Sequence, residues 1–175
     1  FVSINEADVD NDVEGVLIDI DGVQKFYPLT ILVWHEIVND QIGETPYSVT
    51  FCPLCGSAIT FDRRVHDQVL DFGVSGFLFE SNLLMYDRQT ESLWSQARGT
   101  SVAGEFVTTE LNLIPMQQIT FAQLKSDFPD SLVMGTDTGY NRNYGVYPYG
   151  DYSETERTIF PVSVSDKRYF AKEIM

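Results

Sequence analysis

Apolar and polar residues alternate over short stretches for most of this chain, and turn residues break the stretches at close intervals. Residues 16–20 and 23–27 flank Asp21-Gly22, the preferred pair for a type I′ turn, and predict a β-hairpin. Pro28 then opens residues 29–38, where Ile31, Trp34, His35 and Val38 recur at the three- and four-residue spacing of one helical face. Asn39 to Gly43 close that helix, with Gly43 at its end. Residues 59–63 and 69–75 read as strands about a polar turn at 66–68. Residues 83–88 and 93–96 repeat the arrangement about 89–92. Each pair carries an aromatic-Asp-Arg triplet where strand meets turn, with the Asp capping the turn and the Arg pairing with a carboxylate. Residues 102–114 are strand-like. Thr120 is an N-cap for a short helix over 121–127 that Pro129 stops, and strands follow at 131–134 and 160–164. Between them, residues 139–152 set five tyrosines among glycines and asparagines, as a strap packed on the sheet or as a binding rim. Hairpins outnumber βαβ patterns. The expected fold is therefore α+β, one domain over 1–175, made mainly of antiparallel hairpins in a sheet or barrel-like arrangement, with one clear helix and a short second one.

Composition narrows the function classes. A chain of 175 residues, 43% of them hydrophobic, supports one sizeable core. The net charge of −15 comes from 26 acidic and 11 basic residues and repels nucleic acid and anionic membranes. No nucleic-acid partner is expected, and no apolar run reaches the roughly 18 residues of a membrane span. Asp8, Asp10 and Asp12 lack the glycine and downstream glutamate of a calcium loop and read as a solvated turn. There is no Gly-rich phosphate loop and no Gly-x-Ser-x-Gly elbow, which weakens nucleotide and ester chemistry. The sequence starts at Phe1, as in a mature or trimmed product from which a signal peptide would be gone.

The candidate chemistry lies in Cys52-Pro53-Leu54-Cys55-Gly56, a loop between two β-prone runs that holds both cysteines of the chain. Two thiols on a tight turn form half of a four-thiolate metal knuckle. The missing donors must come from elsewhere. His35 is the candidate third ligand, because His66 falls in a polar turn and imidazole is the commonest nitrogen donor; the alternative is a core histidine bonded on both sides. Met85 is a possible further ligand, and a thioether beside two thiolates favours monovalent copper over zinc. A Cys-x-x-Cys pair also serves thiol–disulfide exchange, although there the first Cys caps a helix and here a strand follows. A static disulfide or two inert thiols is the bland alternative.

Several blocks resemble one family: residues 27–40, Phe51 to Gly56, residues 72–78 and residues 83–96. It is a prokaryotic family known only as domain of unknown function 3179. The resemblance spans nearly the whole chain, and its motifs map onto His35, Cys52, Cys55, Asp87, Arg88 and Trp94. It implies a shared site, with Asp87, Arg88 and Trp94 supporting the ligands, and an extracytoplasmic location (periplasmic, secreted or surface-attached). Three functions follow as expectations. The first is an extracytoplasmic protein holding one copper or zinc ion; the second, a thiol–disulfide or metal-dependent oxidoreductase. The third is a structural zinc domain that binds a protein partner or a second copy of itself.

Overall fold

A computed structural model describes residues 1–155 and 159–163. The strands are β1 (Val2–Ser3), β2 (Glu14–Ile20), β3 (Val23–Pro28), β4 (Ile37–Ile42), β5 (Thr45–Cys52), β6 (Ser57–Asp62), β7 (Arg64–Val65) and β8 (Gln68–Val69). They continue with β9 (Phe72–Phe79), β10 (Asn82–Asp87), β11 (Leu93–Ser95), β12 (Ser101–Ala103), β13 (Gln117–Thr120) and β14 (Leu132–Val133). The helices are α1 (Leu29–His35) and α2 (Phe121–Asp127), with 3-10 turns at Ile4–Glu6 and Tyr152–Glu154. One sheet runs β1-β14-β3-β2-β13, a second β12-β11-β10-β9, a third β4-β5-β6, and β7 pairs with β8 alone. Among the described residues every strand pairing is antiparallel except β14 with β3. The fold is α+β and rich in antiparallel sheet, as the patterning predicts.

Local signals set several elements. Asp21 and Gly22 both have positive φ and close the β2–β3 hairpin at Ile20↔Val23. Thr120 accepts from the Gln123 N–H, and the Gln123 side chain returns to the Thr120 N–H, which caps α2 at both groups.

Tertiary pairing overrides the pattern elsewhere. The first helix stops at His35 rather than Val38, and its buried face is Ile31, Leu32 and Val33. Glu36 ends it in the left-handed region, at φ 60 and ψ −31; its N–H reaches the Leu32 carbonyl and its own carbonyl accepts from Phe51 N–H. Ile37 and Val38 are β-branched, and as β4 they pair with Thr50 and Val49 across the Gly43-Glu44 turn. A ladder of six residue pairs replaces the last helical turn. The expected hairpin of 59–63 with 69–75 is also redrawn: β6 pairs with β5, β9 pairs with β10, and only β7 and β8 span the 66–67 turn. Of 102–114, residues up to Ala103 are strand, 105–108 are turn, and the remainder is irregular apart from isolated bridges at Glu110 and Leu113. Residues 160–163 are not strand, and position 164 of that expected strand lies outside the described residues.

Three buried clusters fill the molecule. One joins Val16, Ile18 and Tyr27 to Leu32, Val49 and Phe51, and one packs α2 on Leu17, Phe26 and Val133. The third surrounds the knuckle with Cys52, Leu54, Phe72, Leu83, Met85, Trp94 and Phe106. Lys25 and the Tyr27 hydroxyl both donate to Asp40, and Tyr27 meets Tyr47 at 2.6 Å between hydroxyls. That chain ties the β2–β3 hairpin to β4 and β5 and so fixes the strand that ends at Cys52.

Candidate dithiol site

β5 delivers Cys52 at its last position, and the chain turns through Pro53, Leu54 and Cys55 before β6 starts at Ser57. Gly56 has φ +62, which an L side chain resists, and this residue lets the strand return directly beneath the second thiol. The Cys55 N–H closes the turn on the Cys52 carbonyl. Both thiols are free, and their sulfurs lie 2.9 Å apart. Cys52 is 1% exposed, whereas Cys55 is half-buried and lines an open cleft.

A polar network from another sheet meets Cys55. The Asn82 amide donates to the Cys55 sulfur at 3.3 Å and to Gln96 Oε1 at 2.8 Å, while the Ala97 N–H donates back to Asn82 Oδ1. Gln96 Nε2 donates to Thr50 Oγ1 and to the Ser57 carbonyl. Asn82 and Gln96 are thus buried with their polar groups engaged, and the network joins β10 and the end of β11 to both strands of the knuckle. Neither amide stands out as a candidate in the sequence, although Gln96 closes the block 83–96. Their only other trace there is polarity inside runs whose neighbours, Leu83 to Met85 and Trp94 to Ser95, face the core.

The two thiols divide one proton unequally. Cys55 is held down to about 7, chiefly by the hydrogen bond from Cys52 and, against the cost of burial, by Asn82 and Ser57. The same sharing and burial push the Cys52 thiol far above its ordinary range. As Cys55 ionises through about pH 7, the pair becomes a buried thiol donating to an accessible thiolate. Asn82→Ala is expected to raise the midpoint of iodoacetamide alkylation of Cys55 by about one pH unit, since a hydrogen bond to a charged group contributes about 1.5–3 kcal/mol. Mass spectrometry of the alkylated peptide against pH measures it. An unmoved midpoint would take Asn82 out of the site.

The match to known families follows from the same chain. The family model described as "Protein of unknown function (DUF3179)" matches residues 1–175. The chain belongs to that family. No curated protein and no solved structure matches it.

In this DUF3179 protein the other sequence candidates fall in three places. His35 is turned to the tyrosine strap: its Nε2 meets the Tyr144 hydroxyl at 2.6 Å, Tyr144 meets Thr138 at 2.6 Å, and its ring lies against Tyr140 and Tyr144. Burial and the nearby Arg142 lower its pKa, which keeps the ring neutral. Among the described residues no three of His, Cys, Asp and Glu are grouped so as to hold a metal ion. Met85 is fully buried in the cluster that contains Cys52. Asp87 is buried and accepts from the Thr90 N–H and hydroxyl and from Trp94 Nε1, so Asp87 and Trp94 brace the β10–β11 turn. Arg88 donates to the Tyr86 hydroxyl and stacks over that ring.

The tyrosine segment forms a strap. The Trp34 indole donates to the Val146 carbonyl, Tyr149 donates to Glu36, and Tyr152 donates to the Leu54 carbonyl at the tip of the knuckle. A second cleft, of about 190 Å³, also touches the knuckle and is lined by Cys52, Glu36, Tyr149, Phe77 and Phe160. Burial raises the pKa of Glu36 there. No helix among the described residues is long and apolar enough to cross a membrane.

Proposed function

We propose that this protein is a thiol–disulfide oxidoreductase whose working pair is Cys55, the attacking thiolate, and Cys52, the resolving thiol. One observation carries the reading: two free thiols 2.9 Å apart, Cys52 buried at 1% exposure and Cys55 half-buried on the wall of an open cleft. Two thiolates bound to one ion at about 2.3 Å in a tetrahedral arrangement would stand about 3.7 Å apart. The observed spacing falls short of that separation and lies midway between it and the roughly 2.04 Å of a disulfide bond.

The reaction balances within the pair and a disulfide substrate. Cys55 thiolate attacks one sulfur of R–S–S–R, forming Cys55–S–S–R and expelling RS⁻. Cys52 then loses its proton to the second leaving sulfur and attacks Cys55 Sγ, which releases RSH and leaves Cys52 and Cys55 joined. The protein is oxidised by two electrons and the substrate disulfide is reduced to two thiols; the reverse direction forms substrate disulfides. Oxidising surroundings outside the cytoplasm suit such a pair, and we place the protein there on the strength of the family resemblance.

Incubating the reduced protein with 2-hydroxyethyl disulfide tests the reading. The expected result is a loss of two hydrogens from the intact mass, localised to the peptide holding both cysteines. Thiols that stay titratable after prolonged incubation would overturn it.

A metal-binding role has one specific support, namely that both sulfurs meet on a turn between antiparallel strands, with Met85 in the same buried cluster as Cys52. In that reading Cys52 and Cys55 hold monovalent copper, since two soft donors suffice for it and zinc wants four. One copper per chain, retained against a competing chelator, with an unchanged melting temperature on zinc chelation, is its expected signature. Zinc retained at one ion per two chains, with a doubled hydrodynamic mass, would instead mark a zinc-bridged dimer.

A further inference from the structure

We infer that the cleft beside Cys55 selects low-molecular-weight disulfides that are apolar and positively charged; this rests on the dithiol reading above. The cleft holds about 450 Å³, within the range of roughly 300–1,000 Å³ typical of small-molecule sites. Its walls are largely apolar, with Leu29 and Val33 from α1, Phe51 from β5, Leu54 from the knuckle and Tyr147 from the strap. Cys55 is the reactive group on that lining.

The carboxylate among the described residues of the lining is Glu14. Glu14, exposed at the start of β2, contributes a carboxylate to the wall and accepts from the Gln118 amide at 2.7 Å, which holds it in place. None of the described residues lining the cleft is Lys, Arg or His. The chain as a whole carries a net charge of −15. A carboxylate beside a low-dielectric wall attracts a cation more strongly than it would in open water, and the field of the whole protein adds to the approach rate. An anionic disulfide meets the same field with the opposite sign. Its leaving thiolate would also start from a less populated encounter complex.

Size and shape decide between a small disulfide and one set in a folded polypeptide. Cys55 is half-buried, and the strap closes over the knuckle through Tyr152 at the Leu54 carbonyl. A sulfur reaching Cys55 must enter the cleft, which a compact flexible molecule does more readily than a packed protein disulfide.

The test compares three small disulfides of equal chain length: cystamine, neutral 2-hydroxyethyl disulfide and anionic dithiodiglycolate. A folded-protein disulfide is run alongside. Each rate is divided by that of a free cysteine peptide under the same conditions, so that intrinsic reactivity cancels. Cystamine is expected to exceed dithiodiglycolate by about tenfold at low salt, with the preference falling towards unity at 0.5 M salt. Glu14→Gln is expected to reduce the cystamine-to-neutral ratio about threefold. Equal normalised rates for the three disulfides would overturn the inference and leave the dithiol reading standing. A faster rate for the folded-protein disulfide would overturn the size argument. No reaction with any of them would sink both readings together.

Discussion

Cys52→Ser is expected to stall the protein as a stable mixed disulfide on Cys55, and Cys55→Ser to lose exchange almost entirely. Cys55 is the thiol that opens to the cleft, and it is held down to about 7, so roughly half of it is thiolate at neutral pH. An ordinary thiol near 8.5 is only a few per cent ionised there. Ionisation alone then gives Cys55 an advantage of about tenfold or more over a free thiol at pH 7. Cys55→Ser removes the partner that contributes most to the raised Cys52 pKa, but burial still disfavours the Cys52 thiolate, and that sulfur is not on the wall of the cleft that Cys55 lines. A fall in exchange rate of on the order of a hundredfold is expected at pH 7. In Cys52→Ser the first attack proceeds, but no thiol stands 2.9 Å away to resolve it. Intact-mass spectrometry after a single addition of disulfide reads both results. A mixed disulfide found on Cys52 in Cys55→Ser would reverse the assignment.

The same pair shapes stability against pH. Cys55 has a depressed pKa in the folded chain, so its contribution is full above the unfolded thiol's value and is lost as pH falls through about 7. Cys52, kept protonated, acts with the opposite sign: above the ordinary thiol range the unfolded state ionises and the folded state does not. Stability of the reduced protein should therefore rise between pH 7 and the unfolded thiol value, then fall beyond it as Cys52 ionises only in the unfolded chain.

How much of this was legible in the sequence depends on the reach of each interaction. The β2–β3 hairpin, the capped helix α2 and the knuckle itself are written in adjacent residues: Asp21-Gly22, Thr120 with Gln123, and Cys52 to Gly56. The partners of Cys55 are not. Asn82 lies 27 positions along the chain, and it reaches the thiol because β10 carries it there within a separate sheet. In sequence it is one more polar residue beside a strand. The contacts of His35 were illegible for a related reason. Its helical spacing with Ile31 and Trp34 is real, but Glu36 breaks the helix and the core takes Ile31, Leu32 and Val33, which leaves His35 to the tyrosine strap. The strap is more than 100 positions away, and nothing near His35 announces it.

Trp94→Ala should be the most destabilising single substitution among the residues that support the knuckle. Trp94 is fully buried, packs edge-on against Phe72 and lies against Phe106, and shares its cluster with Cys52 and Leu54. Truncating such a ring costs about 3–5 kcal/mol, from lost transfer free energy and the cavity left behind. A second penalty follows from Asp87, because Trp94 Nε1 donates to its carboxylate at 2.9 Å. Without the indole, a wholly buried carboxylate keeps only Thr90 among these donors. Trp94→Phe separates the two effects: it keeps most of the packing, removes the donor, and is expected to cost about 1–3 kcal/mol. For a chain of this length each kcal/mol lowers the melting temperature by about 2–4 °C. Trp94→Ala should then melt about 10 °C or more below the parent, with Trp94→Phe between them. Calorimetry on the reduced protein measures both. A shift of less than about 3 °C for Trp94→Ala would show that the knuckle's cluster tolerates the cavity, and that its rigidity comes from the strap and the Asn82–Gln96 network instead.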